Sequence, residues 1–292
     1  MQQRTALQWI IFVALALTWG SSFILMKRGM DVFTPDQVAA LRIGIAFLFL
    51  LPLAFRFFKR INPKPWGALA GMGITGNLIP AFLFTRSETM ISSTLAGMLN
   101  SLTPLFTLLV GITLFKRKTN RWQVAGTLIG LAGAIALIAT GKQDEHPGNV
   151  WIGSLLVIIA TFFYGISVNI IKAKLDGINA VGATVLALCI IGPVALGYLF
   201  TTDFLHRLAT HPLAWQSLGF VSILAVFGTA LSVIVYNMLI RDAGPLFASS
   251  VAYLIPAVAI LWGVADNEAF GLIQLLLIGV ILTGVWMVNR KK

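Results

Sequence analysis

Side chains able to hold a small molecule occur in this 292-residue chain inside stretches that are otherwise apolar. Trp19 and Ser22 stand three apart, so a helix puts both on one face with Phe23 and Met26 nearby. Tyr164 and Ser167 repeat that aromatic–hydroxyl pair further along. An aromatic plane flanked by hydroxyls suits stacking and hydrogen bonding to a ligand. The alternative is close helix packing at Gly20 and Gly165, with the hydroxyls bonded back to their own helix. Asn77 precedes Pro80 by three residues and Asn100 precedes Pro104 by four. A buried amide is costly unless bonded, and a proline frees carbonyls one turn earlier. Each Asn therefore either satisfies a kinked backbone or also offers hydrogen bonds to a ligand. Tyr236, Asn237 and Tyr253 are candidates of the same kind.

Arg42 is the one charge clearly inside an apolar run. It either snorkels outward to Asp31, Asp36 or lipid headgroups, or attracts a ligand carboxylate, or acts in an outer gate with Glu88 as its partner. No Asp or Glu lies at comparable depth, which argues for facilitated diffusion, exchange or coupling at the rim over a buried proton carrier. Catalytic constellations are missing: His146, His206 and His211 fall in polar loops, without His-Glu-x-x-His spacing or a phosphate-cradling glycine loop. The lone Cys189 has neither a disulfide partner nor a metal-ligand set around it. We expect no cofactor and no metal.

The elements carrying these groups are read from composition. With 58% hydrophobic and only 11% charged residues, against roughly 25% charged in soluble domains, the chain cannot wet a globular surface. That excludes a soluble enzyme, a disordered regulator and a nucleic-acid-binding domain; an outer-membrane barrel would need alternating strands. A helical crossing takes about 20 apolar residues. Ten runs qualify, near 7–26, 36–57, 66–86, 92–115, 121–141, 150–171, 179–201, 214–240, 246–265 and 270–289. The first continues through Trp19-Gly20-Ser21-Ser22 without a cleavage site, so it reads as a retained helix, not a leader. Ten crossings put both termini on one side. Sorting loops by parity places fifteen of the twenty loop and terminal Lys and Arg on that side and eight of ten acids on the other. Basic loops stay in the cytoplasm, so both termini are expected there. The net charge of +11 is thus a topology signal facing anionic lipid, not a nucleic-acid footprint. Seven tryptophans fall near run ends, where Trp prefers the headgroup level; Trp19 alone sits deep.

The two halves resemble each other. Leu17 to Lys27 matches Phe162 to Lys172 at an offset of 145, and Leu95 to Pro104 matches Phe247 to Pro256 at 152. Runs one to five therefore correspond to six to ten. Because five is odd, the second copy enters the membrane from the opposite face. Inverted repeats are an architecture of secondary transporters, with substrate held near the midplane between the halves. The expected fold is an all-α polytopic membrane protein, ten transmembrane helices in two inverted five-helix repeats, 1–145 and 146–292. Pro80, Pro104, Pro193 and Pro256 are expected kinks. Gly126-x-x-x-Gly130 is a close-packing motif that could join the tenth helix or make a dimer.

Trp19-Gly20-Ser21-Ser22-Phe23, Leu41-Arg42, Leu102-Thr103-Pro104, Leu254-Ile255-Pro256 and Asn267-Glu268 together resemble the EamA-type members of the drug/metabolite transporter superfamily, over essentially the whole chain. That family usually carries a Gly-Glu pair after the fourth and ninth helices; here Lys116-Arg117 and Asn267-Glu268 occupy those places. The resemblance implies a central cavity lined mainly by helices 1, 3, 4, 6, 8 and 9, in a bacterial inner membrane. It also implies export or exchange of small metabolites, often amino acids, sugars or toxic compounds, with amino acids or similar compounds the expected class. A drug or toxic-compound exporter is the alternative, followed by a sugar or nucleotide-sugar carrier; a membrane enzyme or an assembly subunit is disfavoured. The expected partners are a small-molecule substrate and the lipid bilayer, not nucleic acid, with the protein a monomer or weak dimer.

Overall fold

The computed structural model describes residues 6–58, 65–116, 120–139, 149–266 and 271–289. Arg117, His146 and the Asn267-Glu268 pair lie outside them. Eight helices among the described residues are long and apolar enough to cross a membrane: α1 Ala6–Gly29, α2 Pro35–Phe58, α3 Trp66–Ser87, α4 Ser93–Thr113, α6 Val150–Lys174, α7 Ala180–Phe200, α8 Ala214–Ala243 and α9 Pro245–Ala265. Two further helices, α5 Arg121–Ala139 and α10 Leu272–Asn289, have 19 and 18 residues. No strand occurs among the described residues. Long apolar segments become helices in lipid because every backbone group must find its partner within the segment.

The starts of these helices are written in local side chains. Asn149 and Asn179 accept from the backbone N–H groups that open α6 and α7, and Ser92 does so for α4. Thr34 and Gln37 form a reciprocal capping box at α2, as Asn120 and Gln123 do at α5. The interiors are less regular. α1 is interrupted at Ser21, and α4 at Ser101–Leu102, just before Pro104. α3 widens into a π-helical stretch, Ile74–Leu78, before Pro80. α8 does the same over Leu224–Leu231 with no proline involved, and α9 tightens into a 3₁₀ turn at Ser250–Tyr253 ahead of Pro256. Pro193, expected to kink its helix, and Pro52 both sit inside continuous helices.

Packing follows a reciprocal plan. Helix α2 packs on α7, α4 on α9 and α5 on α10, each against its own counterpart. Helix α1 lies against α8 and α9 of the second half, while α6 lies against α3 and α4 of the first. The exchange is reciprocal between the two halves, and the two π-helical stretches fall in the third helix of each half. The Gly126-x-x-x-Gly130 motif joins α5 to α10: a Cβ on Gly284 would stand 2.5 Å from the Gly130 nitrogen and 2.6 Å from the Gly126 oxygen. Large apolar side chains such as Leu7, Ile10, Leu128, Ile135, Leu272 and Ile273 stay exposed on the perimeter, as expected of a lipid-facing surface.

Candidate functional site: a cavity where the halves meet

A cavity of about 90 Å³, measured as room for the centres of water-sized bodies, lies between the two units. It is well above the roughly 10–15 Å³ threshold for holding a water. Its wall comes from both halves. Trp19, Ser22, Phe23 and Met26 of α1 face Tyr164, Ser167 and Val168 of α6; Asn77 of α3 and Asn100 of α4 face Tyr236 and Asn237 of α8. Arg42 is the one charged residue among the described lining.

The aromatic groups are fixed in two ways. The Trp19 indole Nε1 donates to the Gly228 carbonyl at 2.9 Å, inside the π-helical stretch of α8. Its ring meets Tyr236 edge-on, with centroids 4.9 Å apart and planes at 70°. Tyr164 stacks on Phe84 at 5.9 Å, and Phe84 meets Phe23 edge-on at 5.8 Å. Ser22 bonds back to the Thr18 carbonyl at 3.0 Å, whereas Ser167 reaches across to the Met72 carbonyl at 3.3 Å. The close-packing alternative is also realised, on other faces. A Cβ on Gly165 would stand 2.8 Å from the Phe106 carbonyl group, and one on Gly20 would stand 2.5 Å from Val258 Cβ. One face of each helix packs against a neighbour and the adjoining face lines the cavity.

Several polar groups face the cavity unspent. Asn77 is buried in the π-helical stretch of α3, yet its amide makes no hydrogen bond to a described residue. The Tyr164 and Tyr236 hydroxyls likewise have no such partner. Asn100 follows the bland expectation more closely: Thr103 Oγ1 donates to its backbone carbonyl at 2.8 Å and lies 3.3 Å from its side-chain oxygen. Asn237 Nδ2 donates to Thr184 Oγ1 at 2.8 Å, leaving Asn237 Oδ1 enclosed without a partner. A smaller pocket near Asp176 and Arg241 shares Ile171 and Asn237 with the cavity.

Arg42 does not snorkel. Its Nε donates to Thr229 Oγ1 at 2.7 Å and Nη1 lies 3.9 Å from Met26 Sδ, while Asp36 is taken by a bidentate pair with Arg86 at 2.7 and 2.8 Å. Glu88 is buried beyond the end of α3, outside the lining, and attracts Arg42 from a distance without forming an ion pair with it. Tyr253 also lies outside the lining. The 3₁₀ turn advances three residues per turn, so Ser249, Ala252 and Ile255 take the cavity-facing positions and Tyr253 turns into the surrounding packing. Sequence reasoning missed Thr103, Met72, Gly228 and Thr229; the Asn100-x-x-Thr103-Pro104 cluster could have signalled the first.

The two ends of the bundle differ. At one end α1 is clasped to α9: Asp266 pairs with Lys27 at 2.6 Å and with Arg28, and Trp262 Nε1 donates to Ser21 Oγ at 2.8 Å. Nearby, Gln37 donates to Asp203 at 2.7 Å and Arg207 donates to the Val32 carbonyl at 2.9 Å. The hydrogen bond from Arg207, together with that from Gln37, holds the Asp203 carboxyl below the usual carboxylate range. At the opposite end Lys172, the repeat counterpart of Lys27, pairs locally with Asp176 at 2.8 Å.

Membrane-length helices in two family repeats around a shared polar-aromatic cavity define a multi-pass membrane transporter, not an enzyme. The chain belongs to the EamA-like transporter family, whose pattern matches it twice, over residues 7–139 and 151–290. It is 29% identical over 292 residues to the "Uncharacterized inner membrane transporter YedA" of Escherichia coli, covering 96% of this chain and 89% of that one. It is 26% identical over 168 residues to the Escherichia coli "Probable amino-acid metabolite efflux pump", covering 57% of this chain and 53% of that protein. A protein known from a crystal structure shares the fold with a TM-score of 0.63 at 16% identity, over 98% of this chain and 97% of the other.

Proposed function

We propose that this protein exports or exchanges small metabolites, amino acids or similar compounds, by alternating access to the cavity between its repeats. The single observation that carries the proposal is the cavity itself. It is walled by aromatic rings from both halves and presents unspent hydroxyl and amide groups, which suits a ligand with an apolar body and a few polar atoms. Trp19, Ser22, Asn77, Asn100, Tyr164, Ser167, Tyr236 and Asn237 are its substrate-binding residues in this proposal. The similarity to an efflux pump named for amino-acid metabolites supports the choice of substrate class.

Ten crossings with both termini in the cytoplasm complete the proposal. They put the Asp266 clasp on the outer side and the Lys172 end on the inner side. The conformation described is then latched outside, and its inner pocket at Asn237 leads toward the cytoplasm. Rocking the halves would break the α1–α9 clasp and open the outer side. Purified protein in liposomes preloaded with a panel of amino acids, sugars and cationic drugs should show counterflow for the amino-acid class. Counterflow confined to cationic drugs would replace this function with drug export, and movement of no solute, with no thermal shift from any, would overturn it.

A further inference from the structure

Arg42 carries a positive charge into the middle of the bundle, and its surroundings do not neutralise it at contact. Among the described residues no carboxylate oxygen comes within 4.0 Å of its guanidinium. Its direct partners are one hydroxyl, Thr229 Oγ1, and one thioether sulfur, Met26 Sδ. A guanidinium has five N–H donors, so three are left without an acceptor from the described residues. Nη2, which has no such acceptor, is not sealed in apolar packing: it is not among the enclosed polar atoms that lack a partner. Arg42 lines the cavity, and that is where the remaining donors find space. Among the described residues Tyr164 and, from outside the lining, Glu88 act on it electrostatically without touching it as an ion pair. The rest of the wall is neutral, made of rings, amides, hydroxyls and apolar groups.

A buried cation is tolerated when an anion or water meets it, and a planar fork of N–H groups matches the two oxygens of a carboxylate. From this we infer that Arg42 is an anion subsite, and that the cavity takes a solute bearing one carboxylate, oriented with that group on Arg42 and its apolar part on Trp19, Tyr164 and Tyr236. Thr229 is the positioning residue: its hydroxyl fixes Nε and turns the two Nη groups toward the cavity. Because Thr229 stands in the π-helical stretch of α8, a carboxylate drawing on the guanidinium pulls on the element that carries the Trp19 contact as well. The inference rests on the proposed transport function for its cavity and deepens it by naming the group on the solute that is recognised and the residue that recognises it.

The test uses matched triplets that share one apolar group: L-phenylalanine, L-phenylalaninamide and phenethylamine, with benzoate, benzamide and benzylamine as a second set. Binding is read by thermal shift of purified protein and transport by counterflow in liposomes. We expect the acids to bind at least about tenfold tighter than the amides or amines, as one charge-assisted bond allows. Arg42→Gln should bring that ratio to within about twofold, and Arg42→Lys should keep part of it. Thr229→Val, which leaves the charge in place, should weaken the acids and leave the amides unchanged. Acid-selective thermal shifts lost in Arg42→Gln support the subsite even if counterflow is nil, in which case it is the transport function that fails. Amides or amines moving or binding as well as acids, or full acid preference in a folded Arg42→Gln protein, overturns the subsite and leaves transport standing. Absence of both thermal shift and counterflow for every triplet overturns both.

Discussion

Replacing Trp19 separates what its ring does from what its N–H does. Trp19→Phe removes one hydrogen bond, the 2.9 Å donation to the Gly228 carbonyl. Such a bond contributes about 0.5–1.5 kcal/mol net, and here the lower end applies, because Gly228 borders the cavity and water can take the donor's place. The edge-on pairing with Tyr236 at 4.9 Å survives with a phenyl ring. Trp19→Ala removes that pairing, worth about 0.5–1.5 kcal/mol, together with the ring's packing. Deleting a fully buried aromatic costs about 3–5 kcal/mol; Trp19 is only half-buried, with open space on one side, so roughly 2–3 kcal/mol is expected in total. In thermal unfolding the Phe variant should stay within a few degrees of the parent and the Ala variant should fall well below it. In counterflow the Phe variant should retain most of the flux, while the Ala variant loses it despite normal membrane insertion. Equal flux in the Ala variant and the parent would remove Trp19 from the site. Equal losses in both variants would show that the N–H, not the ring, carries its role.

Three further outcomes follow from the geometry. Asp266→Asn loosens the clasp to Lys27 and Arg28, whose side chains are 33% and 44% exposed; discounted for that exposure, the loss is about 1–2 kcal/mol. In a Cys189→Ala background this should raise labelling of Ser22→Cys by an impermeant maleimide from the Lys27 side by roughly 5- to 30-fold, and unchanged labelling would mean the clasp does not hold that side shut. Gly165→Ala drives a methyl to 2.8 Å from Phe106 backbone atoms and 3.0 Å from Thr107 N. Because backbone cannot swing away, α4 and α6 must part, at a cost of about 1–3 kcal/mol visible as a lowered unfolding temperature; an unaltered melt would refute the close contact. A reporter fused after Lys292 should report cytoplasmic, and an external signal would overturn the ten-crossing topology.

Much of the scaffold was legible in the sequence because lipid imposes it segment by segment. The helix starts at Asn149, Asn179 and Ser92 follow from local capping, and the apolar runs match the observed helices to within a few residues. Most of the cavity lining was legible too, since a polar side chain at depth must face protein or a cavity. Where sequence reasoning failed, the backbone had left the ideal helix. Tyr253 was lost from the cavity wall to a 3₁₀ turn, and Gly228 and Thr229 became partners of Trp19 and Arg42 through a π-helical stretch whose residues, Leu224 to Leu231, read as ordinary apolar helix.

Hydropathy, charge asymmetry and the internal match thus determined from sequence a two-unit helical membrane protein, because each depends on residues near one another in the chain. The tertiary structure decided which faces meet. It turned Arg42 inward to Thr229 instead of outward to Asp36, joined Gly126 and Gly130 to Gly284, and clasped Lys27 and Arg28 to Asp266. Each of those contacts links residues more than a hundred positions apart. Only the packing of whole helices, set by side-chain shape on both partners, brings them within reach.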